Sequence, residues 1–243
     1  MPGERRLRIL ALLSSAGPDV STRHVCAVCA EAIGTTGAGI MLMAGASSRG
    51  SICTTDAVSA LIEQLQFDFG EGPCIDAYRL DEPVSEPDLA HPAVARWSAF
   101  TGPVLAAGAR AVFGFPLRVG SVRLGALNLY DVGPGSLTDD QHADALVMAE
   151  VAAQAVLMLQ AGAPPGVLAD EVAAGADFRY VVHQAAGMVS IQLGISVGEA
   201  LVRLRAHAFG NDRHLTDVAT DVVSRTLRFQ PGDTEHDDRG RDR

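Results

Sequence analysis

Lysine is absent from this chain, and all 19 basic residues are arginine. A phosphate-cradling Walker loop needs a lysine at the start of a helix, so that chemistry is excluded. The glycine-rich stretch Gly70-Glu71-Gly72-Pro73 therefore reads as a turn. Neither the H-E-x-x-H metalloprotease pattern nor a nucleophile elbow occurs. Aromatic residues make up only 5% of the 243 positions, with a single tryptophan. Packing must then rest on alanine, valine and glycine. No apolar run approaches the roughly 20 residues that span a bilayer. Arg5, Arg6 and Arg8 are not followed by the apolar stretch of a secretory signal. These absences predict a cytoplasmic chain with its four cysteines reduced. They also predict that it is not an enzyme.

Cys26 and Cys29 form a C-x-x-C, but on a helical pattern shared with Val25, Val28, Ala32 and Ile33. No second cysteine or histidine pair follows at zinc spacing, and His24 alone does not complete a site. They read as small core residues, and no metal or cofactor is called for. Cys53 and Cys74 are isolated, and nothing near either supports a tetrapyrrole linkage or a redox role. Cys74, Asp88 and His91 could be imagined as a triad, but their spacing supplies no geometry.

The net charge is −10, which argues against a general nucleic-acid binder. It is unevenly spread. Residues 179–229 hold six arginines against four acids, a net +2, while the rest of the chain holds thirteen against twenty-five. A mildly basic module on an acidic body fits a phosphate-facing surface, and also a merely solvated one.

The break falls at Ala161 to Val167, AGAPPGV, where two adjacent prolines bounded by glycines cannot continue a helix. Before it, the chain divides into a helical lead-in (1–19) and a mixed domain (20–160). After it come a connector (161–178), a helical module (179–229) and a polar tail (230–243) with the composition of disorder. The expected order in the mixed domain begins with a helix over 20–33, a strand at GIMLMAG, a short strand near 51–54 and a helix from Asp56. FGEGPCIDAYRLDEPV follows as a loop. A short strand near Val84 and a helical stretch containing Trp97 come next. The firmest strands are 111–119 and 122–130. The first alternates through Ala111, Phe113, Phe115, Leu117 and Val119, and Gly120-Ser121 is a type II′ hairpin signature. Pro116 inside it suggests an edge or a bulge. A helix then runs from Thr138, its N-cap, to Leu159.

FGEGPCIDAYRLDEPVSEPDL, the hairpin FPLRVGSVRLGALNLYD and the helix start after it resemble GAF domains that precede ANTAR modules. The resemblance implies an α+β fold in which an antiparallel sheet carries a sensor pocket. That pocket should lie between the sheet and residues 67–100, with Asp76, His91 and Trp97 as candidate ligand contacts. A tryptophan there is more often core than a ligand cap. The asparagine-lysine-phenylalanine-aspartate motif of cyclic-nucleotide-binding members is absent. Asn128-Leu129-Tyr130-Asp131 stands at a strand end and does not match it.

The segment RYVVHQAAGMVSIQLGISVGEALVRLRAHAFGNDRHLTDVATDVVSRTLRF predicts three short helices. Gly194 stops the first, Ser196 and Glu199 form a capping box for the second, and the third begins near Thr216. Met188, Ile191, Leu201, Leu204, Ala208, Leu215, Val218, Ala219 and Val222 would share one core. Gln184-Ala185 with Gly187-Met188, Glu199-Ala200, Leu204-Arg205 with Ala208, and Leu215 with Asp217-Val218-Ala219 resemble an ANTAR domain. That family is a three-helix RNA-binding module of bacterial transcription antiterminators. Many members carry a lysine at the position of Ala186 and an aromatic at that of Leu201. The resemblance implies binding of paired RNA hairpins by a homodimer, and antitermination under control of the sensor. Arg203, Arg205, Phe209, Arg213 and His214 are the candidate RNA contacts, since arginine pairs with phosphate and a flat ring stacks on a base. A dimer seam could form along Leu146, Val147, Ala153, Val156 and Leu157 and over 167–182. Two rival readings stand beside this one, a DNA-binding helix-turn-helix regulator and a sensor that acts through protein contacts alone.

Overall fold

The computed structural model describes residues 2–14, 22–44, 47–162 and 177–230. It divides between Ala176 and Asp177 into two compact units. The tail beyond Gln230 and most of the expected connector lie outside the described residues.

The first unit is built on a five-stranded antiparallel sheet in the order β2-β1-β5-β4-β3. Its strands are β1 (Gly37–Ala44), β2 (Ser47–Thr54), β3 (Val84–Glu86), β4 (Ala111–Val119) and β5 (Val122–Asp131). Helices α1 (Pro2–Ser14), α2 (Thr22–Ile33) and α6 (Asp139–Gly162) pack against one face. Helices α3 (Ala57–Phe69), α4 (Pro73–Leu80) and α5 (Ser98–Ala106) cover the other. Successive strand residues point to opposite faces, and both faces are buried. Ala111, Phe113, Phe115 and Leu117 join Leu127 and Leu129 under α2 and α6. Val112 and Tyr130 face α3 and α5, while Met41 and Ala126 face Cys74 and Ile75 of α4.

The hairpin forms as its sequence requires. Gly120 takes φ +59 while Ser121 keeps an ordinary φ. β3 pairs with β4 only as far as Gly114, and a bulge follows at Leu117/Arg118. Pro116 therefore sits beyond the last β3 pairing, where a missing N–H is tolerated. Thr138 and Gln141 close a reciprocal cap at the start of α6, with Gln141 N donating to Thr138 Oγ1 at 3.2 Å and Thr138 N to Gln141 Oε1 at 3.0 Å.

Expectations about one loop and about the cysteines change in this unit. The stretch after Gly70 is not all loop, because residues 73–80 form α4. The signals were local: Pro73 opens the helix, Asp76 lies in its first turn, and Asp81 closes it in the left-handed region at φ 60. The cysteines are not all reduced. Cys26 on α2 and Cys53 on β2 form a disulfide with their Cα atoms 6.0 Å apart. Cys29 lies one turn along the same helix from Cys26. Side chains so placed have Cβ atoms about 5–6 Å apart, beyond the ~3.8 Å of a typical disulfide. The bond forms instead across the α2–β2 interface. Cys29 stays a free thiol in the core, as expected.

The lead-in helix α1 is part of this unit. Ile9 and Leu13 enter the sheet core. Arg5 bonds Asp140 and Asp144, Arg8 bonds Asp144, and Arg6 reaches Gln154. Burial alone would raise the Asp144 carboxyl, but the two arginines outweigh it and hold its pKa below the ordinary value.

The second unit holds α7 (Asp177–Leu193), α8 (Val197–Gly210) and α9 (Leu215–Val223). Gly194 ends α7 at φ +67, a left-handed conformation that glycine adopts without penalty. Ser196 and Glu199 make the expected capping box, with Ser196 N donating to Glu199 Oε2 at 2.9 Å and Glu199 N to Ser196 Oγ at 3.2 Å. Ala200, Leu201, Leu204, Ala208, Leu215, Val218, Ala219 and Val222 are buried as expected. Met188 and Ile191 are not the core face of α7. Ile191 is 85% exposed and Met188 half-buried, while Val182, Ala185, Ala186 and Val189 fill the core. Alanines let the helix backbones approach closely, so the small-residue face of α7 is the buried one and Ile191 lies outside.

Candidate functional site

The GEGP turn is a brace. Glu71 Oε1 accepts from the backbone N–H groups of Ala99 at 2.6 Å and Phe100 at 2.9 Å, at the exposed start of α5. A carboxylate there satisfies two orphan donors and meets the positive end of the helix. The turn thereby fixes α5 against the sheet and fixes Trp97 immediately before it.

Of the three expected ligand contacts, the structure brings two together. Trp97 Nε1 donates to Asp76 Oδ2 at 2.8 Å. Trp97 is 4% exposed and meets Phe100 edge to face at 5.8 Å. It is a core tryptophan with one face under Arg96, whose guanidinium carbon lies 4.5 Å from the ring centre. Arg96 also pairs with Glu86 at 3.5 Å. His91 is elsewhere: its side chain is 81% exposed and bonded to Asp88 at 3.0 Å. Between the sheet and residues 67–100, Ile62, Leu65, Phe100, Val112 and Tyr130 pack in one apolar cluster with Trp97. A cleft of 230 Å³ opens beside Trp97, with Arg96, Glu86, Ser98 and Thr101 on its walls.

No Cys74–His91–Asp88 triad assembles. Cys74 is enclosed with Met41, Met43 and Ile75. Burial, and then the charge of Glu63, push its thiol well above the ordinary range, so it carries no thiolate near neutral pH. Asp88 is held by other partners. Arg110 at 2.8 Å and His91 hydrogen-bond its carboxylate and lower its pKa to about 2. Because the folded value lies below the ordinary 3.8, these contacts favour the fold at pH values above the unfolded pKa. Their contribution fades as pH falls from about 4 to about 2. An Arg110→Ala variant should return the Asp88 midpoint towards 3.8. A carboxyl NMR titration reads this directly, and an unchanged midpoint would refute the assignment.

One polar group stands elsewhere than its sequence context suggests. Asn128 lies in mid-strand on β5, not at a strand end. It pairs with Gly39 of β1 on one side and Gly114 of β4 on the other. Its side chain is fully buried, and neither amide atom has a hydrogen-bond partner in the structure. Glu63 and Gln66 of α3 are buried on the same sheet face, with Gln66 Oε1 accepting from Cys74 N at 2.7 Å. An asparagine within GALNLYD, at the period-2 position shared by Ala126 and Tyr130, was the available signal.

The described residues contain no cluster of His, Cys, Asp or Glu suited to a metal ion. No single helix among them is long and apolar enough to cross a membrane. With the sheet order and its flanking helices in place, the matching family is the GAF domain, over residues 15–160.

The chain belongs to the GAF domain family.

Several solved structures are similar to it at low identity. The GAF domain of a phosphoenolpyruvate-protein phosphotransferase from Coxiella burnetii is 17% identical, with a TM-score of 0.50 over 65% of this chain and 96% of that one. The corresponding Acinetobacter domain is 12% identical, with a TM-score of 0.48 over 66% and 96%. The free methionine-R-sulfoxide reductase of Neisseria meningitidis is 14% identical, with a TM-score of 0.45 over 65% and 93%. No curated protein matches the sequence. The GAF match ends at residue 160, so the helical module rests on its own residues.

In that module Arg203 projects to solvent from α8, as expected, and Arg205 is half-buried on the flank. Phe209 is 65% exposed. His214 precedes α9 and makes no side-chain cap. Arg213 is committed, pairing with Asp221 at 2.8 Å. Ala186 and Leu201, where the resemblance departs from the ANTAR pattern, are core positions, 0% and 2% exposed.

Proposed function

We propose that this GAF protein is a cytoplasmic, signal-responsive regulator whose C-terminal helices are an ANTAR module that binds RNA hairpins in nascent transcripts and prevents termination. One observation carries the reading. Seven residues of the ANTAR resemblance (Ala185, Ala200, Leu204, Ala208, Leu215, Val218 and Ala219) are buried in the three-helix unit, and Met188 alone of its expected core residues is only half-buried. Its basic members Arg203 and Arg205 lie on the outside or flank. Arg203, Arg205, Phe209, Arg213 and His214 form the first set of RNA contacts. The GAF domain is the sensor, taking a small ligand or a partner protein, and a homodimer presents two modules to two hairpin loops. The protein is not an enzyme in this reading.

The rival DNA reading has one point in its favour. α7 and α8 bend by 104° about Gly194, within the range of a helix-turn-helix. The recognition helix of that pair would be α8, on which Arg203 faces outward and Arg205 lies on the flank, so competition between the two polymers has to separate the readings. The purified protein, offered a pool of hairpin RNAs and duplex DNA at two salt concentrations, should retain RNA with strong salt dependence. Preference for duplex DNA, or retention of neither, would sink the antiterminator reading.

A further inference from the structure

We propose that the unpaired loop of a hairpin RNA enters a groove between the outer face of α7 and the chain that follows α9, a contact surface separate from α8. The inference rests on the ANTAR reading and locates where bases are held. The groove has a volume of 620 Å³. Its floor is Gly187, Met188 and Ile191, and its rim is Arg225 and Arg228.

The α7 face is unusual for a surface. Tyr180 is 73% exposed and Ile191 85% exposed. Tyr180, Gln184, Gly187 and Ile191 recur at intervals of four, three and four, so they form one stripe along the helix. Nothing approaches the position a side chain would take at Gly187, so a sugar or base can come close to the helix backbone there.

The two rim arginines are held in place by their own chain. Arg225 adopts φ 65, a conformation uncommon for a side-chain-bearing residue. The turn is fixed by Thr226 N and Leu227 N donating to Asp221 O at 2.8 and 3.0 Å. Beyond it, Phe229 is buried, donates its N–H to Gln192 Oε1 at 2.9 Å and packs on His207. Arg228 thus leaves a backbone anchored on both sides. Among the described residues neither Arg225 nor Arg228 has an acid within ion-pair distance. Arg213, in contrast, is paired with Asp221, and Arg203 interacts with Glu199 one turn before it.

Unpaired cations flanking an apolar floor suit a ligand that is anionic at its edge and flat and apolar in its middle. Single-stranded RNA has that chemistry: phosphates for the arginine forks, base faces for Met188, Ile191 and Tyr180, and base edges for the Gln184 amide. A second copy of the chain fits less well, since a symmetric contact through this face would set Arg225 and Arg228 against their own mates.

The test uses the full chain with three probes: a hairpin RNA pool, a fully paired RNA duplex without a loop, and the hairpin pool at raised salt. Arg225→Glu/Arg228→Glu should weaken hairpin binding by about 100-fold and reduce the salt slope by about 2. Ile191→Ser, at an exposed position that tolerates a polar side chain, should erase the preference for hairpin over duplex while leaving the salt slope unchanged. If the wild type binds hairpins and both variants bind them equally well, the groove is not the loop site, although the antiterminator reading survives. If Ile191→Ser instead dissociates a dimer with RNA affinity intact, the stripe is a self-association surface and the proposal fails. If the wild type binds no hairpin, the reading beneath the proposal falls with it.

Discussion

Gly125→Ala should prevent the GAF domain from folding stably. Gly125 lies on β5, opposite Leu42 of β1 and Leu117 of β4. A methyl group at this position would overlap the Met41 carbonyl oxygen and crowd the Leu42 Cα. These are backbone atoms of an inner strand, so no side-chain rotation relieves the overlap. The strand would have to move away from β1, and the β1–β5 pairing joins the two halves of the sheet. Ordinary overpacking costs about 1–3 kcal/mol. A backbone clash in a five-stranded sheet belongs to the rarer class above about 4 kcal/mol, a large share of the roughly 5–15 kcal/mol that holds a domain together. The position also adjoins the Leu117/Arg118 bulge, where a strand glycine often marks a bend or a close approach. The expected result is insoluble protein or loss of the GAF thermal transition. A melt within a few degrees of wild type would show that the strands are spaced differently from those described.

Most of the architecture was legible because the signals were local. Alternation from Ala111 to Val119, a glycine turn and the Thr138 and Ser196 caps each specify an element over a few residues. The α7 stripe failed for a definable reason. Met188 and Ile191 are the larger apolar residues of that helix, and size suggested burial. The neighbouring alanines bury a whole helix face by close approach instead, leaving Ile191 outside. Hydrophobicity ranks residues, whereas packing between helices also ranks their size.

The site was less legible because it depends on contacts distant in sequence. Asp76 and Trp97 are 21 residues apart, and nothing local announces that an indole N–H will meet that carboxylate. Asn128 was read with the wrong neighbours: along the chain it belongs to NLYD, but across the sheet it lies between Gly39 and Gly114. Cross-strand register, which one sequence does not display, turns it from a strand-end polar residue into a buried amide. The cysteines show the same limit. The C-x-x-C was conspicuous in sequence, while the bonded partner lay 27 residues away on another element.

That bond supports the second large prediction. Breaking Cys26–Cys53, by a reductant or by Cys53→Ser, should destabilise the GAF domain by about 3–4 kcal/mol, the loop-closure value for a 27-residue separation. For a domain of this size that is a fall in Tm of about 10 °C. The placement makes the effect specific. β2 is the edge strand beside β1, and two register shifts interrupt its pairing. An edge with an irregular ladder is the part of a sheet most ready to fray, and α2 holds it through this cross-link and the surrounding core. Reduction should therefore first expose the amides of β2 to hydrogen exchange, leaving those of β4 and β5 protected. Cys29 and Cys74 supply the internal control. Burial pushes the Cys29 thiol up to about 12 and raises that of Cys74 as well, so neither should alkylate in the folded protein, with or without reductant. Peptide mapping should find Cys26 joined to Cys53 and the other two free. Four free thiols in the air-purified protein, or a Tm indifferent to reductant, would show that the two sulfurs are packed together and not bonded, and the hold on β2 would then come from the α2 core contacts alone.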